Sequence, residues 1–376
     1  MHMIDWEQLQ AWQGDWLDPH PDAIKVRKQF LEGSLHVDRW LLTLAIQDVR
    51  AARLALLTNY AYGFVDQLGI DSSAASTPHL ERLLELANKP GSNETIDRHR
   101  WFDAISLFDQ AVAIAKIEQS DPMESVGRDT DGLIDFLDVR LFLSGFEPTT
   151  FVVYHDPAND YMVGPDDIGI GRALSHRAEG RMRRTHRLTC RRATDNGLIF
   201  LDHRNKLPFH VWLKMQRQVN EGRVQNPYVV RDRCGLTFAA KDRDSCLAFA
   251  QRVEKVLCKD GAHLTEPLDN NFDRTSSADI GNHESAPTHR FAKMSISWRG
   301  REFELQFMAL FDHFNAGHSL SAANHELYRL RQATMHFFPK IWPAQIYGIQ
   351  WRNPRTRHQL RSWKIAQLGW RVNGDH

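Results

Sequence analysis

Short apolar runs alternate with helix-like stretches over residues 198–337, and this alternation constrains the fold more than any other feature of the sequence. Strands are predicted at 198–201, 235–240, 293–298 and 302–308, and helices at 208–219, 244–258 and about 322–337. The last two strands are predicted to form a hairpin with a tight turn at Arg299-Gly300. Residues 259–290 are polar and rich in turn formers, so a loop is expected there. The pattern favours an α+β fold with a small mixed, mostly antiparallel sheet flanked by helices.

The segment before this alternation is predicted to be mainly helical. Apolar residues recur every three or four positions over residues 36–68, which is typical of an amphipathic helix or helix pair. Further helices are expected at 78–88 and 96–117, and the β-branched run at 151–154 is typical of a strand. We therefore predict three parts of the chain: an acidic helical domain (1–150) with a regulatory or interaction role, a sheet-containing domain (151–340) and a C-terminal extension (341–376).

The charges are distributed unevenly along the chain. Residues 1–170 hold 13 Lys and Arg against 28 Asp and Glu, whereas residues 171–376 hold 34 against 19. The basic half suits polyanions such as nucleotide phosphates or RNA, and the acidic half is able to shield it. Two domains that merely attract one another would show the same asymmetry. Eight arginines lie within residues 172–192, which we interpret as a basic helix that faces either solvent or phosphate.

Composition narrows the class of protein further. A hydrophobic content of 42% is enough for a packed core, and no apolar run approaches the roughly 18 residues of a membrane span. The polar N-terminus, with Asp5 and Glu7, is unlike a signal peptide. The four cysteines are too widely spaced for a disulfide framework or a Cys-rich zinc site. These features predict a soluble, cytoplasmic protein without a membrane partner.

The basic half contains the side chains that phosphoryl transfer from ATP requires. Such transfer needs cations around the phosphate oxygens and Mg²⁺ held by one or two carboxylates. Arg204 and Lys206 precede the predicted helix at 208–219, and Lys214 and Arg217 lie within it. These cations are therefore candidates for a polyphosphate site.

Candidate carboxylates follow at Asp232, just before a predicted strand, and at Glu304, within the last strand. Glu304 and Gln306 alternate with apolar residues, so both polar side chains share one face of that strand. A half-buried carboxylate costs free energy unless it is paired or metal-bound. This favours a site over a chance surface pattern.

The order of these elements resembles the synthetase domain of the RelA/SpoT pyrophosphokinases, over about 130 residues. Residues 204–217 are similar to the family's R-x-K…S-i-x-x-K-m element, and residues 232–237 to its D-x-x-G-x-R motif. The sequence Asp244-Ser245-Cys246 resembles its D-C-y helix, residues 303–307 its v-E-x-Q-i strand, and residues 325–328 its terminal H-x-x-Y-K helix.

This resemblance implies a nucleotidyltransferase-like fold and Mg²⁺-dependent transfer of pyrophosphate from ATP to a ribose hydroxyl, the reaction of alarmone synthetases. It also implies a role for each candidate residue. The ATP-binding residues would be Arg204, Lys206, Lys214 and Arg217, the catalytic and metal-binding pair Asp232 and Glu304, and the acceptor-pocket residues His289 and Gln306.

Several positions depart from the family pattern. His210 replaces a serine, Thr237 replaces an arginine, and Met308-Ala309 replaces an Arg-Thr pair. His289 stands where the family has a tyrosine that stacks on guanine. The changes suggest an acceptor other than GDP or GTP, such as an adenosine nucleotide or the 3′ end of tRNA. The alternatives are a catalytically degenerate module that binds nucleotides or RNA, and a toxin-type tRNA pyrophosphokinase restrained by its N-terminal half.

The C-terminal extension interleaves tryptophans with arginines. Trp351, Trp363 and Trp370 are interspersed with basic residues, a pattern that suits stacking on RNA bases together with phosphate contacts. The same pattern fits a helix whose tryptophans pack into the core.

Overall fold

The computed structural model describes residues 39–68, 95–155, 182–193, 197–220, 233–273, 286 and 289–373. These residues form two compact units, each assembled from separate segments of the chain. The helical unit holds the described residues within Met1–Met123, Lys206–Val230 and Gln332–Leu360. The sheet unit holds those within Glu124–Asn205, Arg231–Arg331 and Arg361–His376. In these ranges, no helix combines the length and the apolar character that a membrane crossing needs.

Helices make up most of the described chain outside the sheet. In chain order they are α1 (Arg39–Tyr60), α2 (Val65–Leu68), α3 (Thr95–Ser120), α4 (Met123–Leu141), α5 (Pro208–Asn220), α6 (Arg243–Lys259), α7 (Leu310–His318), α8 (His325–Gln332), α9 (Phe338–Ile341), α10 (Ala344–Tyr347) and α11 (Pro354–Asn373). A 3₁₀ turn covers Tyr62–Phe64, and a π-helical turn covers Ala333–Phe337. The predicted helix at 78–88 lies outside the described residues.

The helical unit is held together by an aromatic core and a buried arginine. Within it, α3 packs against α1, α5 and α10. Arg53 of α1 is buried and donates hydrogen bonds to Asp103 at 2.7 Å, to Gln110 at 2.9 Å and to Ser106, all on α3. Because a buried cation is costly unless it is hydrogen-bonded and paired, this network fixes how α1 lies on α3.

Trp351 belongs to the core of the helical unit. It is 2% exposed, and its Nε1 donates a 2.6 Å hydrogen bond to the carbonyl oxygen of Trp342. Its ring centroid lies 4.8 Å from that of Phe338. Trp363, in contrast, is 38% exposed, and the side chain of Trp370 lies outside the described residues. Packing into the core therefore accounts for Trp351 but not for Trp363.

The sheet unit contains a seven-stranded sheet. The strands are β1 (Phe142–His155), β2 (Met182–Ala193), β3 (Gly197–Asn205), β4 (Cys234–Ala240), β5 (His263–Asn270), β6 (Ala292–Trp298) and β7 (Arg301–Ala309). Their spatial order is β1-β2-β3-β4-β7-β6-β5. Only β4 and β7 are parallel, and the other neighbours are antiparallel. The predicted α+β class with a mixed, mostly antiparallel sheet is confirmed.

One face of the sheet carries the hydrophobic core. Inward side chains of β3, β4, β6 and β7 pack with residues of α4 and α6 into a single buried cluster. Asp242 caps α6 by accepting a 2.8 Å hydrogen bond from the backbone N–H of Ser245. Arg301, at the start of β7, reaches Asp129 of α4 at 2.9 Å. The helices therefore cover one side of the sheet and leave the polar side chains to the other.

Two predictions about secondary structure are wrong. Residues 182–193, interpreted as part of a basic helix, form β2 instead. Residues 263–270, predicted to be loop, form the exposed strand β5. Neither segment has the apolar alternation of a half-buried strand. Pairing with β1 and β3 in the first case, and with β6 in the second, provides the hydrogen bonds that local sequence does not reveal.

Candidate functional site

The candidate site lies on the face of the sheet opposite α4 and α6. In β7, Phe303, Leu305 and Phe307 are fully buried, whereas Glu304 and Gln306 alternate with them and remain partly exposed. Because strand side chains alternate between faces, the strand presents its two polar groups together. This is the arrangement that the sequence predicted for Glu304 and Gln306.

Three strands bring Arg204, Gly235 and Glu304 into one row across the sheet. Arg204 of β3 pairs with Gly235 of β4, and Gly235 pairs with Glu304 of β7. The Nη2 nitrogen of Arg204 lies 3.1 Å from Oε1 of Glu304 and donates a hydrogen bond to it. The row therefore joins parts of three separate sequence motifs at one place.

A second set of polar contacts lies beside this row, toward the sheet edge. Gln306 Nε2 donates a 2.8 Å hydrogen bond to Oε1 of Glu304. On β6, Lys293 faces Gln306 in the strand register, and its Nζ lies 3.1 Å from Oε2 of Glu266 on β5. Burial lowers the pKa of the Lys293 ammonium, but Glu304, Glu266 and Asp269 together outweigh burial and raise it. Lys293 is therefore a stable cation beside Glu304.

Two histidines of the sheet unit are neutral at ordinary pH. Burial, followed by the charges of Arg204 and Arg331, lowers the pKa of His289 to about 4. Burial also lowers the pKa of His325 to about 3, with further contributions from nearby cations. The His289 ring centroid lies 4.9 Å from that of Phe291. Both imidazoles are therefore uncharged, and the positive charge of Arg204 contributes to the low pKa of each.

The other residues predicted to bind ATP or metal are not part of this row: three belong to the helical unit, and one lies outside the described residues. Lys206 belongs to the helical unit, as do Lys214 and Arg217, which lie on α5, and each of the three is partly buried. Asp232, the proposed partner of Glu304 in metal binding, lies outside the described residues. Within the sheet unit, the structure brings together Arg204, Glu304 and Gln306.

Glu304 is the candidate carboxylate ligand for a magnesium ion in this site. Within the described ranges, no group of three or more His, Cys, Asp and Glu side chains is arranged to hold a metal ion. Mg²⁺ needs fewer protein ligands, because it usually keeps several waters and binds substrate phosphates. Both hydrogen bonds of Glu304 to described residues end on Oε1. Its Oε2 therefore fits the role of a single carboxylate ligand.

Lys293, Glu266, His325 and Arg331 are part of this electrostatic environment but were not predicted as site residues. The alternation of Lys293 and Ser295 with the buried Met294 and Ile296 is a readable signal of a polar strand face. Glu266 has no comparable signal, because its strand is irregular and mostly exposed.

No protein-family model, curated protein or solved structure matches this chain. The function is therefore inferred from the residues and their arrangement.

Proposed function

We propose that the chain is an Mg²⁺- and ATP-dependent pyrophosphokinase of the RelA/SpoT type with a nucleotidyltransferase-like fold. The observation that carries the proposal is the row formed by Arg204, Gly235 and Glu304. Elements that resemble three motifs of that family are neighbours in one sheet, and the polar groups of two of them, Arg204 and Glu304, meet on the same face. A cytoplasmic location is part of the proposal and is compatible with ATP as donor.

Arg204 is suited to hold the donor's phosphates. A guanidinium has five N–H donors in a rigid fork, and the hydrogen bond described for Arg204 uses one of its nitrogens. The side chain is 42% exposed, so an anion is able to reach it. The roles of Lys206, Lys214 and Arg217 in ATP binding stay predictions from the sequence, since these residues belong to the other unit.

Glu304 is the proposed catalytic carboxylate, together with Asp232. Its Oε1 is held by Arg204 and Gln306, which leaves the two lone pairs of Oε2, one for a metal ion and one to accept a hydrogen bond from the attacking hydroxyl. A bound Mg²⁺ would neutralise charge on the phosphate oxygens. Hydrogen bonding from Gln306 fixes the orientation of the carboxylate on the strand.

The reaction balances without any further reactant. The acceptor's ribose hydroxyl oxygen forms a bond to the β-phosphorus of ATP while the bond between that phosphorus and the α,β-bridging oxygen breaks. AMP leaves with the bridging oxygen, and the hydroxyl proton passes to Glu304 or to solvent. The products are AMP and an acceptor that carries a pyrophosphate.

His289 and Gln306 are the proposed acceptor-pocket residues. A neutral imidazole stacks on a nucleobase with less area than a tyrosine ring does. This supports an acceptor whose base need not be guanine, such as an adenosine nucleotide, or an RNA whose 3′ end is contacted elsewhere as well.

The proposal is tested by incubating the full chain with Mg²⁺ and γ-labelled ATP in the presence of GDP, GTP, ATP or tRNA. Transfer of label to one acceptor, with stoichiometric AMP, is the expected result. Glu304→Gln should lower the transfer rate by at least about 100-fold, because the carboxylate is lost. The matched control is Glu254→Gln, the same substitution on α6, which packs on the core face of the sheet. Full transfer by Glu304→Gln would refute the catalytic assignment.

A catalytically degenerate binding module is the second candidate, favoured by the direct pairing of Arg204 with Glu304. A carboxylate engaged by a guanidinium offers less to a metal ion, and Thr237 lacks the charge of the family's arginine. This candidate predicts ATP or RNA binding that weakens steeply with salt, without release of AMP. A toxin-type tRNA pyrophosphokinase restrained by its N-terminal half would instead inhibit growth more when residues 150–376 are expressed alone than when the whole chain is, and Glu304→Gln would abolish the inhibition.

A further inference from the structure

Arg204 and Glu304 are not on neighbouring strands, because β4 lies between β3 and β7. Adjacent strands lie just under 5 Å apart, so the two residues are separated by roughly 10 Å of sheet. The Arg204 side chain therefore has to cross the polar face of β4 to make its 3.1 Å contact with Glu304. The residue it crosses is Gly235, which pairs with both of them.

The space above Gly235 is already occupied by the arginine. A Cβ atom built on Gly235 would lie 3.3 Å from Nε and 3.4 Å from Cγ of Arg204, and 3.7 Å from its carbonyl oxygen. The first of these contacts is tighter than ordinary van der Waals packing. An added Cβ would require the Arg204 side chain to shift by a few tenths of an ångström, and a longer side chain would displace it further.

The backbone conformation at Gly235 does not require a glycine. Gly235 is not among the glycines with positive φ, which are Gly261, Gly300 and Gly348. A glycine in a strand interior is unfavourable, since it adds backbone entropy to the unfolded chain and packs nothing. A close approach by another group is the remaining reason for a glycine in a strand, and that group is the Arg204 side chain.

We infer that Gly235 is a positioning residue: by lacking a side chain, it lets Arg204 lie across β4 and present its guanidinium beside Glu304. The pairing of Arg204 with Glu304 follows from this geometry alone. The consequence for phosphate binding rests on the proposed function, in which Arg204 holds the donor's phosphates.

The first test measures binding of inorganic tripolyphosphate to the full chain by isothermal titration calorimetry. Gly235→Ala should weaken binding roughly tenfold, as expected when one charge-assisted hydrogen bond is lost. In a chain that already carries Arg204→Gln, Gly235→Ala should have no further effect. Gly317→Ala on α7, where the added Cβ meets nothing within 4 Å, is the control and should bind like wild type.

Equal weakening by Gly235→Ala with and without Arg204 would overturn the inference, because the glycine would then act through the strand itself. A loss of folding in Gly235→Ala alone, rescued by Arg204→Gln, would support it, because removal of the arginine relieves the clash. A loss of folding in both backgrounds counts against it.

The second test does not depend on any ligand. The free-energy coupling between Arg204→Gln and Glu304→Gln is measured by urea unfolding in a double-mutant cycle, first with Gly235 and then with Gly235→Ala. The coupling should be present in the first cycle and lost in the second, and an unchanged coupling contradicts the inference. If Arg204→Gln leaves tripolyphosphate binding unchanged, the proposed function fails, while this cycle still decides the role of Gly235.

Discussion

The Nη2 nitrogen of Arg204 donates a 3.1 Å hydrogen bond to Oε1 of Glu304, although the two residues are 100 positions apart in the chain. The contact spans three strands and crosses a glycine. It joins the proposed phosphate-binding cation to the proposed catalytic carboxylate. A substitution of Arg204 should therefore change the position of the Glu304 carboxylate, and a substitution of Glu304 should change the position of the Arg204 guanidinium.

Arg204→Lys should weaken ATP binding about tenfold even though it keeps the positive charge. Lysine carries a single ammonium group, so it lacks the fork with which arginine would contact a phosphate while it is bonded to Glu304. Equilibrium binding of ATP with Mg²⁺ measures the effect. Arg299→Lys, on the exposed turn between β6 and β7, should bind ATP like wild type; wild-type affinity in Arg204→Lys would argue against a forked contact.

The stability of the protein should rise with pH between about 4 and 6.5 in part because of His289 and His325. The pKa values of these histidines are lowered to about 4 and about 3 in the folded chain, so in this range the unfolded chain binds more protons. Their stabilising contribution is complete above the unfolded pKa near 6.5 and is lost as the pH falls through the folded values.

Urea unfolding at pH 4.5 and at pH 7.5 measures this dependence. The single variants His289→Gln and His325→Gln should each flatten the rise by roughly 1–3 kcal/mol. Burial is the main cause of both low pKa values. The charges of Arg204 and Arg331 lower the pKa of His289 further. Arg329, Arg204 and His289 lower the pKa of His325 further, and Glu326 raises it. An unchanged slope in both variants would show that neither histidine is buried as described.

Arg53→Leu should destabilise the protein by about 2–4 kcal/mol. The substitution leaves Gln110 and Ser106, both fully buried, without the guanidinium that they accept hydrogen bonds from. Chemical denaturation measures the change. Asp103→Asn is the informative comparison, because the Asp103 side chain is 51% exposed and water can replace part of its contact. Its effect should be clearly smaller than that of Arg53→Leu.

Gly300→Ala should destabilise the protein by about 1 kcal/mol. Gly300 has a φ of 82° and follows Arg299, which has a φ of 50°, so the turn uses two left-handed residues. A Cβ at such a φ is strained, although there is open space around it. Gly317→Ala lies within α7, where alanine is the better helix former, and should be neutral or stabilising. Equal effects of the two substitutions would contradict this account of the turn.

Local pattern was sufficient for many of the elements. The hairpin turned at Arg299-Gly300 is confirmed as β6 and β7, and the predicted helices at 208–219 and 244–258 are confirmed as α5 and α6. These segments have the clearest apolar periodicity or the clearest turn residues. Each element buries one face, so the spacing of its apolar residues predicts its secondary structure.

Strands without such a pattern were predicted wrongly. In β5 most side chains are exposed, and it is held by backbone pairing with β6, which leaves no alternation in the sequence. The arginines of the segment that forms β2 predict a basic helix, whereas its structure is decided by β1 and β3 on either side. The energetics of these strands depend on distant partners, which a local window does not contain.

The sequence alone determined the α+β class and the common face of Glu304 and Gln306, because both follow from the alternation of apolar and polar side chains along a strand. It also singled out Arg204 as a candidate cation. Only the tertiary structure decided that Arg204 reaches Glu304 and that it does so over Gly235. That outcome depends on strand order and register, which are set by the packing of the whole sheet against its helices, so no single segment encodes it.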